Sequence, residues 1–266
     1  MKANKILRWS GKSPAKSAMD FLAEEEPLEI RIDNHPVSVT MRTPGHDDEL
    51  ATGFLLTEGL LKKRADILKI AAHPRNQSKN VINVFLAPDV AVDLEQLTRH
   101  VFASSSCGLC GKATIESVHQ HFPKIKSSVS VGAKIISSLP EKLRAAQTAF
   151  DKTGGLHAAA IFDSQGKLMV SREDVGRHNA VDKVLGHSFL KGNFPLEKSI
   201  LLVSGRASFE ILQKGLAARI PIICAVSAPS SLAVEFARKS GQTLIGFLRE
   251  ERMNVYSHPK RIKFAS

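Results

Sequence analysis

The 266-residue chain has little cysteine, tryptophan or tyrosine, with three, one and one of these residues. Three cysteines cannot form a disulfide framework, and an odd number in a chain without a secretory signal indicates reduced thiols. No apolar run approaches the roughly 20 residues that cross a bilayer, and no apolar stretch follows the basic N-terminus as in a signal peptide. These absences predict a cytoplasmic protein that has no membrane partner.

Acidic residues are also fewer than basic ones, 26 against 37, which gives a formal charge of +11. The excess lies at the two ends: residues 1–20 hold five basic residues and one acidic, and residues 238–266 hold seven and two. Such an excess predicts an anionic partner. A nucleic-acid-binding protein is one hypothesis, but aromatic platforms beyond 13 phenylalanines are few and no nucleic-acid motif is present. We therefore predict no nucleic-acid partner.

The apolar residues follow patterns that predict an α/β protein. Alternation over residues 28–43 indicates a hairpin, and the C-terminal half repeats a strand–loop–helix pattern that is typical of a mixed sheet covered by helices. We divide the chain into a loose basic arm, a smaller β-containing N-terminal subdomain and an α/β subdomain, which span residues 1–20, 21–138 and 139–266. Strands are predicted at 81–86, 156–162, 200–203, 222–226 and 243–248, and helices at 139–150, 207–218 and 231–239.

Cys107 and Cys110 form a C-x-x-C motif in a segment rich in serine and glycine. A structural zinc site needs four ligands, and the remaining thiol, Cys224, lies in an apolar run, so we predict no metal here. A thioredoxin-like redox pair would lie near the start of a βαβ unit, whereas this motif is in mid-chain. A reachable thiolate between glycines can also accept sulfur as a persulfide and pass it on. The motif alone does not choose between redox and carrier chemistry.

His157 follows the pair Gly154-Gly155 at the start of a predicted strand. It resembles the first ligand of zinc deaminases, whose signature is H-x-E followed by P-C-x-x-C. Here Ala159 stands where that signature has its general acid/base, and the C-x-x-C precedes the histidine. A zinc-dependent nucleobase deaminase is therefore the weaker alternative function. His157 itself is either structural or part of a ligand site.

Polar loops follow the predicted strands of the C-terminal half. In α/β sheets, ligands lie beyond the carboxyl ends of the strands. Ser204-Gly205-Arg206 offers backbone N–H groups and a guanidinium to an anion, and the loop that begins at Ser227 repeats the arrangement. We therefore predict that Ser204, Arg206 and Ser227 bind a phosphate or nucleotide, close to the charged run Arg249–Arg252.

A further polar cluster spans residues 173–179 and continues to Asp182. We predict that Asp174 caps a helix to about residue 185, on which Asp174, His178 and Asp182 follow an i, i+4 spacing. Such a helix is either solvated and held by ion pairs or a ligand-facing surface. The density of polar residues slightly favours the ligand-facing surface.

Seven sequence blocks resemble the FdhD family of sulfur carrier proteins, in the family's order, over about residues 24–261. A set of seven ordered blocks is far more specific than any one of them. The blocks are TPGHDDELATGFLLTEG (43–59), SSCGLCGK (105–112), TGGLHAAA (153–160), REDVGRHNAVDKVLG (172–186), SGRASFEILQKG (204–215), AVSAPSSLAVEFA (225–237) and GFLRE with NVYSHPKR (246–261).

The resemblance implies a sulfurtransferase that serves formate dehydrogenase. Such a protein accepts persulfide sulfur from a cysteine desulfurase and transfers it to the molybdenum bis(molybdopterin guanine dinucleotide) cofactor. The resemblance also implies a cytidine-deaminase-like α/β/α mixed sheet with a smaller N-terminal subdomain, and a homodimer. Cys107 takes the persulfide position, with Cys110 beside it.

The family's nucleotide-cofactor site corresponds to the run Phe247, Leu248, Arg249, Glu250, Glu251 and Arg252. One departure from the family pattern is visible there, because Glu250 and Glu251 stand where a smaller or glycine-bearing turn is expected. Contacts from this run therefore come from either its backbone or its side chains.

Overall fold

The computed structural model describes residues 1–11, 13–72, 80–90 and 122–264. Cys107 and Cys110, and with them the predicted thiol loop, lie outside these ranges. The described strands are β1 Lys2–Arg8, β2 Lys16–Leu22, β3 Glu26–Ile32, β4 His35–Arg42, β5 Ile67–Ala72, β6 Val81–Leu86, β7 Val131–Gly132, β8 His157–Phe162, β9 Leu168–Asp174, β10 Ile200–Val203, β11 Ile222–Ala225, β12 Thr243–Arg249, β13 Arg252–Ser257 and β14 Ile262–Lys263. The described helices are α1 Asp47–Thr57, α2 Ala133–Ser137, α3 Leu139–Ala146, α4 Thr148–Thr153, α5 Arg177–Leu190, α6 Phe209–Ala217 and α7 Ser231–Ser240.

The largest described sheet has the strand order β13-β12-β11-β10-β8-β9. Strands β10, β11 and β12 run parallel, whereas β8, β9 and β13 pair antiparallel with their neighbours. Every residue of β10 and β11 is buried, and alternate residues such as Leu201 and Leu202 belong to two separate apolar clusters. A strand buried on both faces needs cover on both faces. The predicted mixed α/β sheet is therefore confirmed.

A second sheet, of order β4-β3-β6-β5, lies in the N-terminal part. The predicted hairpin over residues 28–43 is confirmed, and its turn residues Asp33 and Asn34 both have positive φ angles. This is the backbone twist that two-residue hairpin turns require and that Asn and Asp tolerate. Leu28 and Ile30 of β3 are buried in the same apolar cluster as α1 and the large sheet.

Helices α1 and α5 join the two parts of the chain at a close crossing. Gly53 of α1 and Gly186 of α5 form the contact, and a Cβ at either position would lie 1.9 Å from a carbonyl oxygen of the other helix. Two buried ion pairs flank the crossing. They are Lys183–Asp174, at 2.7 Å, and Lys214–Asp182, at 2.8 Å.

Three local predictions were wrong. The helix predicted over residues 139–150 is divided at Gln147 into α3 and α4. Residues 1–20, predicted as a loose arm, contribute most of the antiparallel hairpin β1–β2, in which Lys2 pairs with Leu22 and Arg8 with Lys16.

Asp174 does not cap a helix, because it is the last residue of β9 and Gly176 precedes the first helical residue of α5. The Asp174 carboxylate instead accepts hydrogen bonds from the backbone N–H groups of Gly176 and Thr43.

The C-terminal strand β14 pairs with β7, across the predicted subdomain boundary between residues 138 and 139. The division into subdomains stays a prediction. In the described part of the chain, no helix is both long and apolar enough to cross a membrane.

Candidate functional site

A cavity of about 1230 Å³ opens at the carboxyl ends of β10, β11 and β12. His157 reaches the same edge because β8 runs antiparallel to β10 and begins where β10 ends. Helices α3 and α4 form one wall, and α5 begins at the cavity. Its lining residues are Pro140, Glu141, Leu143, Arg144, Ala145, Gln147, Phe150, Asp151, Gly154, Gly155, Leu156, His157, Arg177, Ser204, Gly205, Arg206, Val226, Ser227, Leu248, Arg249 and Glu250.

The cavity brings together most of the binding residues that the sequence predicted. The shared members are His157, Ser204, Arg206, Ser227, Leu248, Arg249 and Glu250. Phe247, Glu251 and Arg252 do not line it, and the Phe247 side chain is 41% exposed. The run 247–252 therefore contributes only Leu248, Arg249 and Glu250 to the cavity.

The loops after β10 and β11 are held side by side by backbone hydrogen bonds. The N–H of Ala207 donates to the carbonyl of Ala228, and the N–H of Ser230 donates to the carbonyl of Ala207. These bonds place Arg206 and Ser227 at one edge. In the loop that begins at Ser227, the Ser230 hydroxyl already accepts a hydrogen bond from the N–H of Ala233. This N–H therefore does not bind an anion.

Ser204 shapes the cavity through the backbone of β8. Its hydroxyl accepts a hydrogen bond from the N–H of Ala158 at 2.9 Å, and its own N–H donates to the carbonyl of Ala158 at 2.9 Å. These two bonds extend the pairing of β8 and β10 by one residue, next to His157. Ser204 is thus a structural residue of the cavity wall.

His157 faces the loop after β10. A Cβ added at Gly205 of that loop would lie 3.4 Å from Nδ1 of His157. Partial burial lowers the pKa of His157 below its ordinary value, and the nearby positive charge of Arg177 lowers it further. The imidazole is therefore neutral at neutral pH, and one ring nitrogen can accept a hydrogen bond from a ligand.

Arg177, the first residue of α5, is a cavity residue that the sequence prediction of the site left out. Its Nε is buried and, among the described residues, has no hydrogen-bond partner. A buried polar atom without a partner is costly, and a hydrogen-bond acceptor in the cavity would remove that cost. The family block REDVGRHNAVDKVLG contains Arg177 and was the signal that could have identified it.

The rest of the polar cluster 173–183 is structural. Asp174, Asp182 and Lys183 are buried in the ion pairs at the helix crossing. Burial raises the pKa of Asp182, although the ammonium of Lys214 opposes that shift. His178 lies 2.8 Å from a carboxylate oxygen of Glu210 and does not line the cavity. Within this cluster Arg177 lines the cavity, and the interpretation of the helix as a ligand-facing surface stays a prediction.

The end of β12 and the turn after it have a strained backbone. Phe247 and Glu250 have φ angles of 51° and 49°, in the left-handed region that favours glycine. The register of β12 against β13 shifts between Gly246 and Arg249, which marks a bulge at the cavity edge. Glu250 is thus a point of backbone strain at the cavity edge.

Replacing Glu250 with glycine should stabilise the protein by about 0.5 to 1 kcal/mol, because it relieves the left-handed strain at the cost of some unfolded-state entropy. The contact between Glu250 and Arg252, at 3.7 Å, joins two side chains that are each at least 80% exposed and contributes little. Urea unfolding measures the change. Glu251→Gly is the matched control, since Glu251 has no positive φ, and an equal gain in both variants would contradict the prediction.

Among the described residues, no group of three or more histidine, cysteine, aspartate or glutamate side chains is arranged to hold a metal ion. This statement does not extend to Cys107 and Cys110, which lie outside the described ranges.

Comparison with known proteins shows what this chain is similar to. The model of the FdhD/NarQ family matches residues 23–263. The chain is 49% identical over 251 residues to the sulfur carrier protein FdhD of Streptomyces coelicolor, which covers 91% of this chain and 89% of that protein. It is 44% identical over 253 residues to the protein of the same name from Saccharolobus solfataricus, with 94% of each chain covered.

A solved structure is also similar. The crystal structure of a candidate formate dehydrogenase accessory protein from Desulfotalea psychrophila superposes with a TM-score of 0.79 at 26% identity. The match covers 98% of this chain and 99% of that chain.

Proposed function

The chain belongs to the FdhD/NarQ family, and we propose that it carries sulfur from a cysteine desulfurase to the molybdenum bis(molybdopterin guanine dinucleotide) cofactor of formate dehydrogenase. Its relatives support the general role, a sulfur carrier of the formate dehydrogenase system. The observation that supports the cofactor as the substrate is the cationic cavity at the carboxyl edge of the large sheet. The cofactor is the substrate of this reaction.

The cavity has the size and charge that a nucleotide-bearing substrate needs. Its volume of about 1230 Å³ exceeds the roughly 300–1,000 Å³ of ordinary ligand pockets. Arg144 forms an ion pair with Asp151 at the rim. The other lining cations, Arg177, Arg206 and Arg249, form no ion pair within the described part of the chain, so they are available to phosphate oxygens.

In this proposal, Arg177 and Arg206 bind phosphate groups of the substrate, and neutral His157 accepts a hydrogen bond from it. Apolar side chains such as Leu156 and Leu248 provide the surface on which a base or pterin ring packs. The strained turn also brings Arg249 and Glu250 to the cavity lining, where the guanidinium attracts an anion and the carboxylate repels it.

The sulfur step uses the C-x-x-C motif. The Cys107 thiolate attacks the outer sulfur of the persulfide on the cysteine desulfurase, the sulfur–sulfur bond of that persulfide breaks, and the donor cysteine leaves as a thiolate. Cys107 then bears the persulfide. The Cys110 thiolate attacks the inner sulfur of this persulfide, its sulfur–sulfur bond breaks, and the outer sulfur leaves as hydrosulfide for the cofactor. The Cys107–Cys110 disulfide that forms is reduced by two equivalents of a cellular thiol. The chemistry requires reduced thiols, so we propose the cytoplasm as its location. The homodimer stays a prediction.

A persulfide assay tests the sulfur step. After incubation with a cysteine desulfurase and cysteine, the protein should gain the mass of one sulfur atom, and peptide mapping should locate it at Cys107 rather than at Cys224. An unchanged mass for the wild-type protein would overturn the proposed function.

Replacing Arg177 with glutamine should weaken the binding of GDP, used as a probe of the cavity, by about tenfold or more, because one charge-assisted phosphate contact is lost. Calorimetry gives the dissociation constant. The control is Arg144→Gln, which removes a cation of the same cavity that Asp151 already neutralises, and we expect a smaller effect there. Equal affinity of the wild-type and Arg177→Gln proteins would exclude Arg177 as a phosphate ligand.

A further inference from the structure

The hairpin β1–β2 presents an exposed apolar face. In its register Ala3 pairs with Phe21, Lys5 with Met19 and Leu7 with Ser17. Directly paired residues of an antiparallel ladder point to the same side, so these six side chains share one face, and all six are exposed. Leu7 is 78% exposed and Met19 58%. We call Lys5, Leu7, Met19 and Phe21 the hairpin face.

Apolar side chains in solvent are ordinary when they are scattered, but these are contiguous. A contiguous apolar patch with a polar rim marks an interaction site. Trp9, directly after β1, is also 71% exposed. Tryptophan is among the residues that most often dominate the binding energy of protein interfaces.

The hairpin is also basic, because residues 1–20 hold five basic residues and one acidic. The acidic residue, Asp20, lies 3.4 Å from Arg8, and on the opposite side of the hairpin from Lys5. Lys5 is next to Met19 within the apolar patch. Lys2, Arg8 and Lys16 lie on the opposite side of the hairpin, so Lys5 supplies the charge of the hairpin face itself. An apolar face with a central cation, on a hairpin of net positive charge, favours a partner that presents an apolar patch with carboxylates.

The hairpin lies beside the cavity. Strand β2 packs against α4, and Ala23, directly after β2, lies against Gly155, where a Cβ would be 3.5 Å from the Cβ of Ala23. Phe150 of α4 and Gly155 both line the cavity. The amino terminus of β1 is held there by an ion pair with Glu24, at 2.9 Å. The half-buried residues Ile6, Ala18 and Asp20 lie on the other side of the hairpin, which is the side that faces the protein. A partner that binds the hairpin face is therefore separated from this cavity wall by the thickness of the hairpin.

We propose that the hairpin face docks the protein that receives the sulfurated cofactor, through an acidic surface patch with an apolar centre. The inference rests on the proposed function, in which that protein is formate dehydrogenase. A large polyanionic substrate must pass from the cavity into its acceptor, and docking on the hairpin beside the cavity shortens this transfer. The net positive charge of the hairpin accelerates the encounter, and the apolar side chains of the hairpin face slow dissociation.

The test uses purified formate dehydrogenase that lacks its cofactor, and the double variant Lys5→Glu/Leu7→Ser of the full chain. We expect the dissociation constant to rise by about tenfold or more, as for the loss of a central interface contact. The matched control is Leu68→Ser/Lys69→Glu on β5, which makes the same changes at another exposed strand, where Leu68 is 63% exposed. We expect no change there. Equal dissociation constants for the wild-type and hairpin variants would overturn the inference.

The same variants test two other partners of the hairpin face, a second copy of this chain and a membrane. Either result below would overturn the inference. If the hairpin face binds a second copy of this chain, sedimentation shows a dimer that the double variant dissociates, while binding to formate dehydrogenase is unchanged. If it binds a membrane, vesicles with anionic lipid bind the wild-type protein and not the variant, again with unchanged binding to the enzyme.

The proposed function and the docking site can fail separately. Persulfide formation at Cys107 and GDP binding are measured on the same hairpin variants, and we expect wild-type values for both, because the hairpin face lies outside the cavity lining. If the wild-type protein neither forms the persulfide nor binds GDP, the proposed function is wrong. If it does both, and the hairpin variants bind formate dehydrogenase as the wild-type protein does, only the docking site is wrong.

Discussion

The variant Cys107→Ala is expected to accept no sulfur from the cysteine desulfurase and to leave formate dehydrogenase inactive, whereas Cys224→Ala should behave as the wild-type protein. A thiolate is the nucleophile of persulfide transfer, and alanine has none. Cys224 is completely buried in β11, and burial raises its pKa far above the ordinary value, so it remains an unreactive thiol. Peptide mass spectrometry measures the sulfur, and formate oxidation in cells that lack their own carrier measures the activation.

Cys110→Ala separates the two chemistries that the C-x-x-C motif leaves open. A carrier should still load sulfur on Cys107 in this variant and lose only part of its transfer rate, because Cys110 assists release. A redox pair should lose all function when either cysteine is removed, with a disulfide as the wild-type resting form. If Cys107→Ala loads the same sulfur as the wild-type protein and still activates formate dehydrogenase, the carrier mechanism is wrong.

The large sheet could be predicted because its strands carry a strong local signal. Residues 200–203 and 222–225 are uninterrupted apolar segments, followed by loops and helices of fixed order, and this pattern is typical of parallel strands buried on both faces. The hairpin β1–β2 was missed for the opposite reason. Both of its strands are largely exposed, so no alternation of buried and polar residues marks them in the sequence.

The cavity was predicted only in part. The loops that begin at Ser204 and Ser227 follow strands, so their common edge could be inferred from strand order alone. The wall formed by α3 and α4 could not, because these helices pack over the edge through tertiary contacts that have no local sequence pattern. Arg177 was not predicted because it lies in a run of polar residues. The sequence does not distinguish residues in buried ion pairs, such as Asp174 and Asp182, from a residue that lines a cavity.

Gly186→Ala should strongly destabilise the protein, with a loss of about 3 kcal/mol in the free energy of unfolding. Helix propensity alone predicts the opposite sign, since alanine is favoured over glycine by about 1 kcal/mol within a helix. The new Cβ, however, would lie 1.9 Å from the carbonyl oxygen of Glu49 and 2.8 Å from the backbone nitrogen of Gly53. Backbone atoms cannot rotate away, so α1 and α5 must separate.

That separation also reaches the cavity, because α5 begins at Arg177 and is held by the buried pairs Lys183–Asp174 and Lys214–Asp182. We therefore expect weaker GDP binding by Gly186→Ala at temperatures where the variant is still folded. Urea unfolding measures the stability, and Gly132→Ala is the control, since a Cβ there finds its nearest neighbour at 4.0 Å. An unfolding midpoint for Gly186→Ala at or above the wild-type value would show that the crossing of α1 and α5 tolerates a wider spacing. The contact between the two glycines would then not be what positions Arg177.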